Sequence, residues 1–272
     1  MSRRTGARSR RPKGAIILIG GAEDKSGDRR ILAAIARRAG PGPLVICTAG
    51  SSVPDQLYAV YTAAFRDLGV KTTIHAKLLT RESADAPALA AEVARARAFF
   101  FTGGDQLKIT SKIAGARLHT AIDDLYARGG TVAGTSAGAS ALGQIMPVST
   151  VQDEHRVAAA YQLLAGLGLI QNVIVDQHFA QRGRMGRLIA GVAESPRLLG
   201  IGIDENTALV WQRDAFDVIG QGAVYIVDGS GVTASNVGSG PAHSAISAFD
   251  LRLHVLSAGD GFDVPARRPI RS

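Results

Sequence analysis

Thr131-Val132-Ala133-Gly134-Thr135-Ser136-Ala137-Gly138-Ala139 sets a short apolar run directly before a serine flanked by small residues. It reads as a nucleophile elbow. At such a turn the serine leaves a strand on a tight bend into a helix, with Oγ in a pocket and the helix N-terminus behind it. Glycines two residues to either side are needed because a Cβ there would strike neighbouring strands or the bend itself. A G-x-S-x-G match arises by chance about once in four shuffled chains of this composition, so the surrounding sequence must carry the argument.

Outward from the serine, short apolar runs alternate with amphipathic, alanine-rich stretches. The runs are Ala15 to Ile19, Leu44 to Thr48, Val70 to His75, Ala98 to Thr102 and Thr131 to Ala133, and helical patterns fill 29–39, 53–68, 84–95 and 117–128. Strands that are apolar throughout and separated by helices imply an α/β fold, with a mostly parallel sheet flanked by helices. In that architecture the C-terminal ends of the strands form the ligand crevice. Four runs lead there into small or polar residues: Gly20-Gly21-Ala22-Glu23-Asp24, Ala49-Gly50-Ser51-Ser52, Thr102-Gly103-Gly104-Asp105-Gln106 and the serine turn. After about residue 198, closely spaced β-like segments at 199–203, 207–211, 223–227 and 251–256 read as added C-terminal strands of the same domain, some antiparallel.

The 272 residues, 46% hydrophobic, suffice for one large globular domain and exclude disorder for most of the chain. The net charge of +8 is carried by the ends: six basic side chains lie in residues 1–13, and Arg267, Arg268 and Arg271 close the chain. Setting those nine aside leaves 22 basic against 23 acidic groups, so the body is about neutral and is not built as a nucleic-acid binder. The expected organisation is a disordered basic tail at 1–13, a single hydrolytic domain at 14–265 and a basic tail at 266–272. No signal-peptide-like or membrane-spanning stretch is visible, and the single cysteine, Cys47, reads as a core residue of a strand, so a reducing cytoplasm is the expected location.

A serine hydroxyl needs a base, usually a histidine oriented by a carboxylate. His178 is the best placed of six histidines, because Asp176-Gln177-His178-Phe179 follows the apolar run 172–175. Four acids compete to orient it: Glu154, which keeps the chain order Ser, acid, His and is preferred, its neighbour Asp153, then Asp176 and Glu205. Donors for an oxyanion are expected from the backbone N–H of Ala137 and of Gly103 or Gly104, the alternative for that loop being a helix entry capped by Asp105. Arg182, Arg184 and Arg187 follow His178; Arg184 and Arg187, three apart on one helix face, would make an anion site for a carboxylate or else a solvated face. No histidine spacing suggests a metal site, and no cofactor is expected.

Taken together, Gly20 to Asp24, Phe101 to Gln106, Gly134 to Ala139, Asp176 to Phe179 with the arginines after it, and Ile203-Asp204-Glu205-Asn206-Thr207-Ala208 resemble the cyanophycinases. These are serine peptidases related to the aspartyl dipeptidase of the peptidase E type. The resemblance runs from residue 14 to about 260. It implies a fold like the class I glutamine amidotransferases, a homodimer, and hydrolysis of cyanophycin, a poly-aspartate with arginine on each β-carboxylate, to β-Asp-Arg dipeptides from the chain end. It implies Ser136 as nucleophile, His178 as base and Glu154 as third member, with Gln106, Asp176, Gln177, Arg182, Arg184, Arg187 and Asn206 lining the substrate pocket. The rival readings are a dipeptidase acting after N-terminal aspartate, an α/β-hydrolase esterase, whose histidine would lie nearer the C-terminus, and a non-catalytic binding protein on the same fold.

Overall fold

A computed structural model describes residues 14–149, 161–237 and 245–270. The apolar runs form five parallel strands, β1 (Ala15–Ile19), β2 (Leu44–Cys47), β3 (Thr73–Ala76), β4 (Ala98–Phe101) and β5 (Thr131–Thr135). Alternate side chains enter opposite cores. Ile16, Leu18, Phe99 and Phe101 join one apolar cluster, while Ile17, Ile19 and Phe100 join another. Burial on both faces is why these strands read as continuous apolar runs.

The helices are α1 (Arg30–Ala39), α2 (Pro54–Asp67), α3 (Arg81–Ala84), α4 (Pro87–Arg95), α5 (Gln106–Ile113), α6 (Arg117–Ala127), α7 (Ala137–Ala141) and α8 (Met185–Glu194). The single helix expected at 84–95 is two pieces, because Pro87 opens a new helix at its first turn. The third strand starts three residues later than expected, since Val70 is still tied to the end of α2 by its N–H to the Phe65 carbonyl, 3.0 Å. α1 and α2 cover one face, where Phe100 meets the rings of Tyr61 and Phe65 at 4.8 and 5.5 Å.

The remaining strands are β6 (Gly143–Ser149), β7 (Tyr161–Ala165), β8 (Ile170–Gln177), β9 (Leu199–Ile203), β10 (Thr207–Gln212), β11 (Ala215–Gly220), β12 (Val224–Asp228), β13 (Arg252–Leu256), β14 (Gly261–Asp263) and β15 (Arg268–Ile270). They make two sheets rather than one. The first has nine strands in the order β15-β14-β11-β10-β1-β5-β4-β2-β3, the second six in the order β13-β12-β9-β8-β6-β7. Both are mixed: β1 to β5 are parallel in the first and β6, β8 and β9 in the second, with antiparallel strands filling the rest. The fold class is α/β as expected, but the late strands divide, β10 joining β1 while β9, β12 and β13 join the second sheet. A common apolar cluster joins the sheets, Leu18, Phe101 and Leu209 meeting Val175, Ile201 and Ile226. α8 covers the outer face of the second sheet with Leu188 and Val192.

Within the described part of the expected basic tail, Arg268–Ile270 form a strand. β15 pairs with β14, and Arg267 donates to the Asp228 carboxylate and, at 2.5 Å, to the Arg197 carbonyl. A buried acid and a backbone carbonyl give Arg267 partners that hydrophobic patterning does not register. Cys47 is buried in β2, which pushes its thiol pKa up to about 12. No described helix is long and apolar enough to cross a membrane.

Candidate active site

Ser136 joins β5 to α7 with φ 54° and ψ −120°, a conformation costly for any residue with a Cβ. Its neighbours hold it there. The Ser136 N–H donates to the Ile19 carbonyl at 2.9 Å, and its carbonyl accepts from Ala139 N–H at 2.9 Å. A Cβ on Gly134 would lie 2.4 Å from the Gly138 carbonyl oxygen, and one on Gly138 would lie 2.8 Å from the Phe101 Cβ, so the bend admits glycine alone at both places.

His178 follows the last residue of β8 and has left-handed backbone, φ 46°. Its N–H donates to the Gly20 carbonyl at 2.7 Å, which turns the imidazole across the mouth of β1. There the ring packs against Gly21, where a Cβ would come within 2.3 Å of Cε1 and Nε2. Nε2 is 2.9 Å from Ser136 Oγ and Nδ1 is 2.6 Å from Glu205 Oε1. Burial lowers the His178 pKa; the hydrogen bond to Glu205 opposes that shift, and the positive charge of Arg182 adds to it. The ring is therefore neutral at neutral pH and able to take a proton.

The acid facing His178 is thus Glu205, in the turn between β9 and β10. Glu154 and Asp153 lie outside the described residues. The Glu205 turn is held from three sides. Gln181 Oε1 accepts the Glu205 N–H at 3.1 Å, Asn206 donates from its backbone to Gly21 at 2.8 Å, and Asn206 Oδ1 accepts the Asp24 N–H at 2.9 Å. Asp204 accepts from Ala180 N–H at 2.9 Å and Ala223 N–H at 3.1 Å. Asn206, expected to line the substrate pocket, spends its amide oxygen on this loop.

Asp176 points the other way. It is fully buried and receives Arg187 in bidentate fashion, Nε to Oδ2 at 2.5 Å and Nη2 to Oδ1, with Arg184 Nη1 at 3.3 Å from Oδ1. Arg184 Nη1 also donates to the Gln177 carbonyl at 2.5 Å. The carboxylate that these guanidinium groups hold is therefore one of the protein's own, and Asp176 is turned away from His178. Arg182 is the exposed member of the three, on the 3₁₀ turn Ala180–Arg182.

Gln177 Oε1 accepts from Ser136 Oγ at 3.3 Å, bringing that residue to the serine. Gln106 instead donates to the Pro147 carbonyl at 2.9 Å, tying α5 to β6. Asp105 caps α5, accepting from Leu107 N–H at 2.8 Å. Gly103 faces the serine, where a Cβ would be 3.5 Å from Ser136 Cβ, whereas Gly104 packs on the Gly50 carbonyl. A further buried group, Glu23 of Gly20-Gly21-Ala22-Glu23-Asp24, supports the serine turn and is not marked as functional by the sequence alone. Glu23 is buried and accepts from Thr135 Oγ1 at 2.5 Å, one residue before Ser136, and from the Tyr61 hydroxyl, while Lys25 lies 3.2 Å away. Its only signal was an acid beside a glycine pair at a strand's end. Among the described residues no cluster of His, Cys, Asp and Glu could hold a metal ion.

Residues 16–219 match Peptidase family S51. The chain is 38% identical over 260 residues to a cyanophycinase of Trichormus variabilis, spanning 94% of this chain and 87% of that protein. It is 36% identical over 256 residues to a cyanophycinase of Synechococcus elongatus, spanning 93% and 80%. A peptidase crystal structure from an acI-B1 Actinobacterium superposes with a TM-score of 0.72 over 93% of this chain and 97% of that one, at 23% identity, a likeness of fold. A family match over most of the chain, relatives that align along nearly all of it, and a serine hydrogen-bonded to a neutral histidine lead to one conclusion: the chain belongs to peptidase family S51 and is a serine-type peptidase.

Proposed function

We propose that the chain degrades cyanophycin, releasing β-Asp-Arg dipeptides from the chain end through an acyl-enzyme on Ser136. The observation that carries the mechanism is the hydrogen-bonded line Glu205, His178, Ser136, assembled from the three loops that leave the ends of β5 in the first sheet and of β8 and β9 in the second. As Ser136 Oγ attacks a backbone aspartyl carbonyl, His178 Nε2 takes its proton, and Glu205 stabilises the imidazolium at Nδ1. The oxyanion is received by the Ala137 N–H with that of Gly103, the glycine that faces the serine. Collapse breaks the C–N bond, and His178 returns its proton to the leaving amine. Water then gives a proton to His178 and its oxygen to the acyl carbon, which releases the dipeptide and restores the serine. Nucleophile, base and oxyanion donors all come from the chain, so the scheme calls on no cofactor.

In this reading Gln177 and Arg182 meet substrate beside Ser136, while Asp176, Arg184, Arg187, Gln106 and Asn206 hold the loops that shape the pocket. Arg182 suits the free carboxylate of an arginyl branch. The enzyme is read as a cytoplasmic homodimer. Incubation with cyanophycin should yield β-Asp-Arg by mass spectrometry, and Ser136→Ala should lower kcat by on the order of 10⁴ to 10⁶ with the melting temperature retained. Cleavage of an Asp-Leu-type dipeptide with no action on the polymer would replace this reading with that of an aspartyl dipeptidase.

A further inference from the structure

At the end of the molecule opposite Ser136 lies a cavity of about 930 Å³. Its walls come from the N-terminal ends of β1, β8 and β9, the end of α6 and the turn between β10 and β11. The serine, histidine and Glu205 loops leave the other ends of these elements or their neighbours. The eight residues of β8 put roughly 25 Å between the two ends.

Trp211 and Tyr126, 5% and 9% exposed, give the cavity aromatic walls. The Trp211 indole N–H donates to the Arg213 carbonyl at 2.9 Å, and Arg213 has left-handed backbone, φ 57°, so the turn is fixed from within. Arg267 fixes the opposite wall through its bond to the Arg197 carbonyl, 2.5 Å. Arg197, Arg213 and Asp214 stand exposed at the rim. Neither the Arg197 nor the Arg213 guanidinium enters an ion pair among the described residues. A concave aromatic site with two guanidinium groups and one carboxylate at its mouth is complementary to a small molecule bearing two carboxylates and a cation.

We infer that this cavity is a second ligand site, for dicarboxylates of amino-acid or dipeptide size, and that β-aspartyl-arginine occupies it. Its two carboxylates suit Arg197 and Arg213, and its guanidinium suits Asp214. The choice of this ligand rests on the proposed function, of which it is the product, and makes the cavity a place where product acts at a distance from Ser136.

Trp211 is the single tryptophan of the chain, so its emission reports this cavity. Titrating the Ser136→Ala protein with β-aspartyl-arginine should give a saturable change in that emission. Adding Arg197→Ala and Arg213→Asn together, asparagine being tolerant of left-handed backbone, should weaken binding by at least about tenfold through the loss of two charge-assisted bonds. Adding Arg182→Ala instead should leave the titration unchanged. No saturable change up to about 10 mM dipeptide, a millimolar ligand being near the weak limit of specific binding, overturns the inference, as does an equal titration in the rim variant. If the wild-type chain fails to cleave cyanophycin while the dipeptide still titrates Trp211, the proposed function falls and the cavity stands.

Discussion

Asp176 and Glu205 sit at the ends of neighbouring strands of one sheet, and they do opposite things. Asp176 is fully buried and bound by two arginines, whereas Glu205 has a side chain 37% exposed and meets the imidazole. Strand alternation separates them. Gln177 faces Ser136, so Asp176, one residue earlier, must face α8 and its arginines. His178 then leaves the strand with positive φ, which returns its ring to the serine side and towards the β9–β10 turn. The same sheet edge thus holds a charge locked into the structure and a charge left free to answer a proton.

The sharpest break of that contrast is Glu205→Gln. It keeps the shape and removes the charge that stabilises the imidazolium, so kcat should fall about 10⁴-fold while the melting temperature stays put. An unaltered kcat would return the role to another acid. Asp176→Asn should do the reverse, leaving two poorly solvated guanidinium groups short of charge and costing about 3–5 kcal/mol in a denaturant titration, with a lesser effect on kcat in the protein that remains folded.

Gly21→Ala probes the ring itself. The added methyl would overlap the imidazole and the backbone there is left-handed, φ 100°, so a displacement of about 1 Å should lower kcat about a hundredfold. The smallest effect is in pH. Burial holds the His178 pKa below its ordinary 6.5, so the acid limb of kcat/KM should have its midpoint below 6.5, activity being lost as pH falls through it. In Glu205→Gln the opposing contribution disappears and the residual activity should survive to still lower pH; a shift upwards would contradict the pairing.

Much of this was written in the chain. The strands β1, β2, β4 and β5 follow directly from their apolar runs, and β9, β10, β12 and β13 begin and end within a residue or so of the β-like segments. Ser136 and His178 were legible as residues at the ends of strands, where parallel strands gather their loops, although β5 and β8 belong to different sheets. The division into two sheets did not follow, because an isolated β segment carries no mark of which strand it will pair with. Nor did the arginines' partner, since helix spacing shows that Arg184 and Arg187 share a face but not what that face meets.

Local sequence therefore determined what depends on neighbours along the chain: apolar periodicity, the glycines that permit the Ser136 bend, and the histidine at the end of β8. Tertiary structure alone decided which carboxylate meets that histidine. The contact joins residues 27 apart, through a positive φ at His178 and the register of β8 beside β9, and neither is encoded in the identity of the acid.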